Sequence, residues 1–193
     1  MFLPLSAFRQ PHRVTPVARN IEYAGTPENR GARLPVVVWV HGGGWRAGSK
    51  DKPRCLSLVR EGYAIVAINY RLSGEATFPS QIYDVKAAIR WVRANAKQYG
   101  FDPERIAVFG ASAGGHLAAL AGTSGGVKEL EGSLGNAEES SRVQAVVDWF
   151  GPTDFLQMGK HLNAALLWSV RARSVRSRNS FTMSSRPETP FRP

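Results

Sequence analysis

Val108-Phe109-Gly110-Ala111-Ser112-Ala113-Gly114-Gly115-His116 is a short apolar run that breaks into glycines around one serine and then resumes, through Leu117, Leu120 and Ala121, with helical spacing. Gly110-x-Ser112-x-Gly114 is the spacing of an elbow where a strand turns sharply into a helix. Only small residues avoid collision there, and the serine oxygen is thrust outward as a nucleophile. An ordinary strand-to-helix turn with a capping serine would satisfy the same five positions. The flanking chain decides between the two.

Upstream, Val36-Val37-Val38-Trp39-Val40 is apolar and β-favouring without polar alternation, as expected of a parallel strand covered on both faces. It runs into His41-Gly42-Gly43-Gly44-Trp45, where successive glycines leave backbone N–H groups without side-chain cover, able to point at an anion. Lys50 to Arg60 predicts a short helix with Cys55, Leu58 and Val59 on one face, closed by Gly62. Tyr63 to Tyr70 reads as a second buried strand. After Pro79, the spacing of Ile82, Val85, Ile89, Val92 and Ala96 predicts a longer helix that ends at Gly100. Asp102-Pro103 predicts a turn, Ile106 to Phe109 the third strand, and Val143 to Phe150 a fourth, stopped by Gly151-Pro152. A polar, glycine-rich stretch separates the elbow helix from that last strand. Strand and helix alternate, so the expected class is α/β, with a parallel sheet and flanking helices. Three segments follow: 1–33, with an edge strand at Val17 to Tyr23; an α/β domain over 34–158; and a Ser/Arg-rich tail over 159–193.

A length of 193 residues supports one domain with a real core. The net charge of +10 invites a nucleic-acid reading, but Lys160, Arg171, Arg173, Arg176, Arg178, Arg186 and Arg192 against Glu188 place six of those ten charges after residue 154. The body is only mildly basic and shows no basic groove with interleaved aromatics, so no nucleic-acid partner is expected. No run approaches the roughly 18 apolar residues of a membrane span, and none reads as a secretion signal; the expected location is the cytoplasm, without a membrane partner. The single cysteine, Cys55, excludes an intrachain disulfide and a thiolate metal cluster, and reads as a small core residue. Gly48-Ser49-Lys50 reverses the order a phosphate-binding P-loop requires. No metal or other cofactor is expected.

From about Leu34 to Leu156 the chain resembles an α/β-hydrolase of the esterase/lipase type, close to its hormone-sensitive-lipase-like and feruloyl-esterase-like branches. The resemblance rests on His41-Gly42-Gly43-Gly44-Trp45, Asn69-Tyr70-Arg71-Leu72, Phe78-Pro79 leading to Asp84 and Arg90-Trp91, and the elbow itself, in that order. It implies that the strand before the glycine loop lies beside the strand before the elbow, where sheet order reverses and ligands bind. It also implies hydrolysis of a small-molecule carboxylic ester: Ser112 attacks the acyl carbon, and the N–H groups of Gly42, Gly43 and Ala113 hold the oxyanion. Glycine would be needed there so that no Cβ obstructs the substrate oxygen. His41 and His116 read as structural histidines, and Asp84 and Asp148 as satisfied structural carboxylates. Trp45 either lines an acyl pocket or covers the loop.

The family's triad also needs an acid and then a histidine on loops after later strands. After Met158 those strands are not recognisable, and the chain turns Ser/Arg-rich with Pro187, Pro190 and Pro193, so it is expected to be truncated, with an aberrant, disordered tail. His161 is the remaining histidine beyond His116, with Asp154 before it; both follow the fourth strand directly, whereas the family separates them. Two classes stay open: an ester hydrolase, or a non-catalytic remnant or binding module of the same fold. An uncovered edge on the fourth strand predicts self-association.

Overall fold

The structure, a computed structural model, describes residues 33–158. The expected edge strand at Val17 to Tyr23, the tail and His161 lie outside them. The chain divides into two units between Pro152 and Thr153, so all of the regular structure below belongs to the first.

Four strands form one parallel sheet in the order β2-β1-β3-β4: β1 (Leu34–Val40), β2 (Ala64–Ile68), β3 (Phe101–Ala111) and β4 (Ala145–Trp149). β1 explains its unbroken apolar sequence. Val36, Val38 and Val40 face one way into a core shared with Ile82, Val85, Ile89 and Val92 of α1 (Ser80–Ala94) and Leu117, Ala118 and Ala121 of α3 (Ala113–Thr123). Val37 and Trp39 face the other way, packing with Cys55, Phe109 and Ala111. All four apolar positions expected on α1 are completely buried; the fifth, Ala96, begins the short α2 (Ala96–Tyr99). Gly100 then ends that turn in the left-handed region at φ 69°.

Three expectations change. Lys50 to Arg60 is not one helix: Lys50 to Cys55 forms turns, and only Leu56–Glu61 coils, as a 3-10 helix with no fully buried residue. Three apolar positions make too narrow a face to stabilise an α-helix, and the Lys50 N–H donates to Asn69 Oδ1 at 2.7 Å instead. The Asp102-Pro103 turn lies inside β3, not before it. Phe101 pairs with Leu34, pairing resumes at Val36 with Ile106, and the extra residues bulge out with the Glu104 N–H donating to Asp102 Oδ1; a proline, with no N–H, suits that unpaired position. Within the polar stretch, Lys128–Glu131 forms a further helical turn, α4.

Because β1 sits between β2 and β3, the chain runs one way from β1 and then returns to its other side. The carboxyl ends of β1 and β3, carrying the glycine loop and Ser112, meet at that reversal, the place where open α/β sheets hold ligands.

Candidate active site

Ser112 follows β3 directly and caps α3, at φ 54° and ψ −121°. A non-glycine residue is strained there by roughly 1–3 kcal/mol, and such strain persists only when the surroundings enforce it. Here they do. The Ser112 N–H donates to Trp149 O at 2.8 Å, and the His116 N–H donates to Ser112 O at 3.1 Å. A Cβ on Gly110 would collide with the Gly114 carbonyl, and one on Gly114 with the Val40 and His41 carbonyls. The glycines of the elbow therefore let β3, α3 and the end of β1 touch backbone to backbone, and the capping-serine alternative is left behind.

The glycine loop closes onto the elbow. A Cβ on Gly42 would meet Ala111 O at 2.7 Å and Ser112 Cβ at 3.3 Å, so these two segments lie in contact. Gly43, at φ 118°, turns the loop back: its carbonyl accepts the N–H groups of Arg46 and Ala47, and a Cβ there would strike the Ala47 carbonyl. Packing of the loop against the elbow and against itself thus requires glycine at both positions.

His41 is buried and stacks on Tyr70 at 4.5 Å between ring centroids. Its Nδ1 lies 2.8 Å from Gly42 O, while the Tyr70 hydroxyl donates to His41 O at 3.0 Å. Burial lowers the His41 pKa and pushes Tyr70 up to about 12, and their hydrogen bonds and stacking anchor the loop. His116 pairs Nδ1 with Pro152 O at 3.1 Å and meets Trp45 edge to face; burial lowers its pKa too. Trp45 also packs, partly buried, against the core shared by α1 and α3. Asp84 takes Arg71 in a two-pronged ion pair at 2.8 Å, and Asp148 Oδ1 accepts the Gly151 N–H at 2.7 Å, both structural roles. Cys55 is buried, its thiol pushed up to about 11 by desolvation.

Ser112, Gly42 and Gly43 line one cleft of about 690 Å³, which also takes in Trp39, Phe150 and the rim from Gly48 to Arg54. Ala113 is not in its lining; its backbone N–H is the first of α3, where a helix leaves donors unpaired and concentrates positive partial charge. Sequence reasoning missed Trp39, Phe150 and the rim. The available signal was register, since Trp39 alternates onto the same side of the sheet as Phe109 and Ala111. Among the described residues the Ser112 hydroxyl has no hydrogen-bond partner. Asp154 Oδ1 accepts the N–H groups of Leu156 and Gln157, capping a turn. No group of three or more His, Cys, Asp or Glu side chains among the described residues could hold a metal ion, and no helix there is long and apolar enough to cross a membrane.

A family model described as BD-FAE matches residues 25–187. The chain belongs to this family. The match runs well past Met158, where the motif-based likeness stops. Among curated relatives, the "Probable carboxylic ester hydrolase LipM" of Mycobacterium tuberculosis is 36% identical over 154 residues, 78% of this chain and 35% of its own length. The "Esterase LipQ" of the same organism is 41% identical over 127 residues, 64% of this chain and 30% of its own. The chain thus spans about a third of these relatives. Among solved structures, a "Truncated form of carbohydrate esterase from gut microbiota" superposes with a TM-score of 0.63 at 43% identity, covering 67% of this chain and 50% of that one. The propionate-bound Est2 esterase of Thermogutta terrifontis gives 0.60 at 30% identity, over 79% and 55%. The expected α/β-hydrolase fold is that of these structural relatives.

Proposed function

We propose that this BD-FAE chain carries the nucleophile and oxyanion half of a carboxylic-ester hydrolase. The supporting observation is Ser112 in its strained elbow, pressed against the Gly42 loop at the switch point of the sheet. Ser112 Oγ adds to the acyl carbon of a small ester; the tetrahedral intermediate collapses, the alcohol leaves, and water then hydrolyses the acyl-serine. The N–H groups of Gly42, Gly43 and Ala113 hold the oxyanion, each worth roughly 2.7–4 kcal/mol in the transition state. The glycine-loop N–H groups make no backbone hydrogen bond to a described residue, which leaves them for this task. The serine proton must pass to a general base; among the described residues no histidine hydrogen-bonds the Ser112 hydroxyl, and His41 and His116 pair Nδ1 with backbone carbonyls.

Hydrolysis of p-nitrophenyl acetate by the full chain and by Ser112→Ala tests this. The expected outcome is a loss of at least about 10⁴-fold in the variant, the scale on which a nucleophile matters, together with loss of covalent labelling by a fluorophosphonate. A non-catalytic module is the second reading, favoured by the unpartnered Ser112 hydroxyl. Equal rates and no labelling would select it.

A further inference from the structure

The cleft at Ser112 is also lined by Gly48, Ser49, Asp51, Lys52 and Arg54 of one segment, and the chemistry of that wall is one-sided. Its single acid, Asp51, is already committed: Oδ2 accepts the Ser49 hydroxyl at 2.8 Å, and Oδ1 lies 3.9 Å from Lys50 Nζ. Lys52 and Arg54 also line the cleft, and neither has an ion-pair partner among the described residues. Trp39 also lines the cleft; it is 2% exposed, and its indole N–H is buried with no acceptor among the described residues. An orphaned buried donor in a native fold calls for an explanation, and a bound acceptor is one. Lysine, arginine and tryptophan side chains are all donors with no acceptor capacity.

The wall is also fixed in place. Its start is tied to the sheet through the Lys50 N–H on Asn69 Oδ1 at 2.7 Å, and its end through Cys55, which is 1% exposed in the core beside Trp39. The two cations are therefore carried on a short strap anchored at both ends, facing the same space as the serine. Coulomb attraction at a half-open mouth is modest, but a ligand that fills the cleft excludes water and raises it.

From this we infer that the cleft selects anionic esters, those with a carboxylate on the part of the molecule lying toward Lys52 and Arg54. The inference rests on the ester-hydrolase reading in placing the scissile carbonyl at Ser112. Its test is made independent of turnover by using unreactive amide isosteres and the full chain. N-phenylsuccinamic acid carries the charge on the acyl side and 4-acetamidobenzoate on the alcohol side; butyranilide and acetanilide are their neutral counterparts. Binding is followed by NMR titration, including the Trp39 indole N–H resonance.

The expected result is that at least one anion binds about tenfold more tightly than its neutral counterpart and moves the Trp39 signal. That preference should fall to about twofold or less in Lys52→Ala/Arg54→Ala and shrink similarly between 0.05 and 0.5 M salt, on the order expected when the screening length drops from above 10 Å to a few ångströms. Which anion gains shows the side on which the charge sits. Equal binding of anion and neutral ligand, a preference that survives the double variant, or no binding of any of the four overturns the inference. Both substituted residues are exposed, so the variant folds. Failure of the nucleophile reading shows separately, as Ser112-independent hydrolysis and absent fluorophosphonate labelling.

Discussion

Three neighbouring glycines in the His41 to Trp45 loop look alike in the sequence, yet the chain around them treats Gly42 and Gly44 differently. A Cβ on Gly42 would press on the Ala111 carbonyl and on Ser112 Cβ, whereas one on Gly44 would meet nothing within 4 Å. Gly42→Ala must therefore push the loop off the elbow, at about 1–3 kcal/mol as for overpacking a tight contact, and carry its N–H away from the serine. Gly44→Ala keeps the contact and incurs only the left-handed backbone at φ 59°, about 1 kcal/mol. Thermal melts should show the larger loss for Gly42→Ala, and esterase assays should show its activity falling at least tenfold while Gly44→Ala retains most of its own. Equal effects would mean that the loop does not bear on Ser112 as described. At this scale the sequence was informative because the elbow and loop contacts are between backbones, and only glycine permits them; Asp84 and Cys55 were legible as structural from the apolar positions around them, and His41 from the motif it opens. Their partners, Tyr70, Arg71 and the Trp39 cluster, come from other segments and could not be read locally.

At the scale of elements, α1 was legible by its periodic apolar face but not by its two cations. Lys86 and Arg90 are 0% and 1% exposed, on the helix that also buries Ile82, Val85 and Ile89. Periodicity treats a lysine or an arginine as solvent-facing, and the segment that makes burial tolerable lies some 40 residues on. Glu131 of α4 accepts Lys86 Nζ at 2.9 Å and Arg90 Nη1 at 3.1 Å, while Ser124 O accepts from Lys86 and Leu134 O from Arg90; Arg90 Nε has no acceptor among the described residues. Removing the shared acid leaves two buried charges on carbonyls alone, so Glu131→Ala should cost about 3–5 kcal/mol, measured by urea unfolding at pH 7. The same group gives a pH signature. Burial pushes the Glu131 carboxyl up, but the Lys86 ammonium, the Gly126 N–H and the Ser141 hydroxyl together hold it below its usual 4.5. A carboxylate with a depressed folded pKa stabilises fully above the unfolded value and loses that contribution as pH falls through the folded one. Stability of the parent chain should therefore decline below about pH 4.5, and Glu131→Gln should flatten that part of the profile. An unchanged slope would remove Glu131 from the acid response.

For the whole molecule, the order of elements carried the architecture: strands buried on both faces appear as unbroken apolar runs, and their alternation with helices leaves few parallel topologies. The extent of family likeness was less legible, because motifs end at about Leu156 while the family match continues to residue 187. The apolar run of β4 is where the run-equals-burial rule fails. Its residues are all exposed, Val147 at 38%, Trp149 at 40% and the adjoining Phe150 at 71%, and among the described residues it pairs only with β3. An open apolar edge favours strand-to-strand pairing between copies, whereas a net charge of +10 opposes it through repulsion that salt screens. The balance predicts association that grows with protein concentration and with ionic strength, the reverse of a charge-driven complex. Val147 lies opposite Phe109 in the β3–β4 register and is exposed, so Val147→Lys places a charge on that edge without emptying the core. Light scattering from 0.05 to 0.5 M salt should show the parent chain growing in mass and the variant staying monomeric; a parent that remains monomeric throughout would show that β4 is not open in solution.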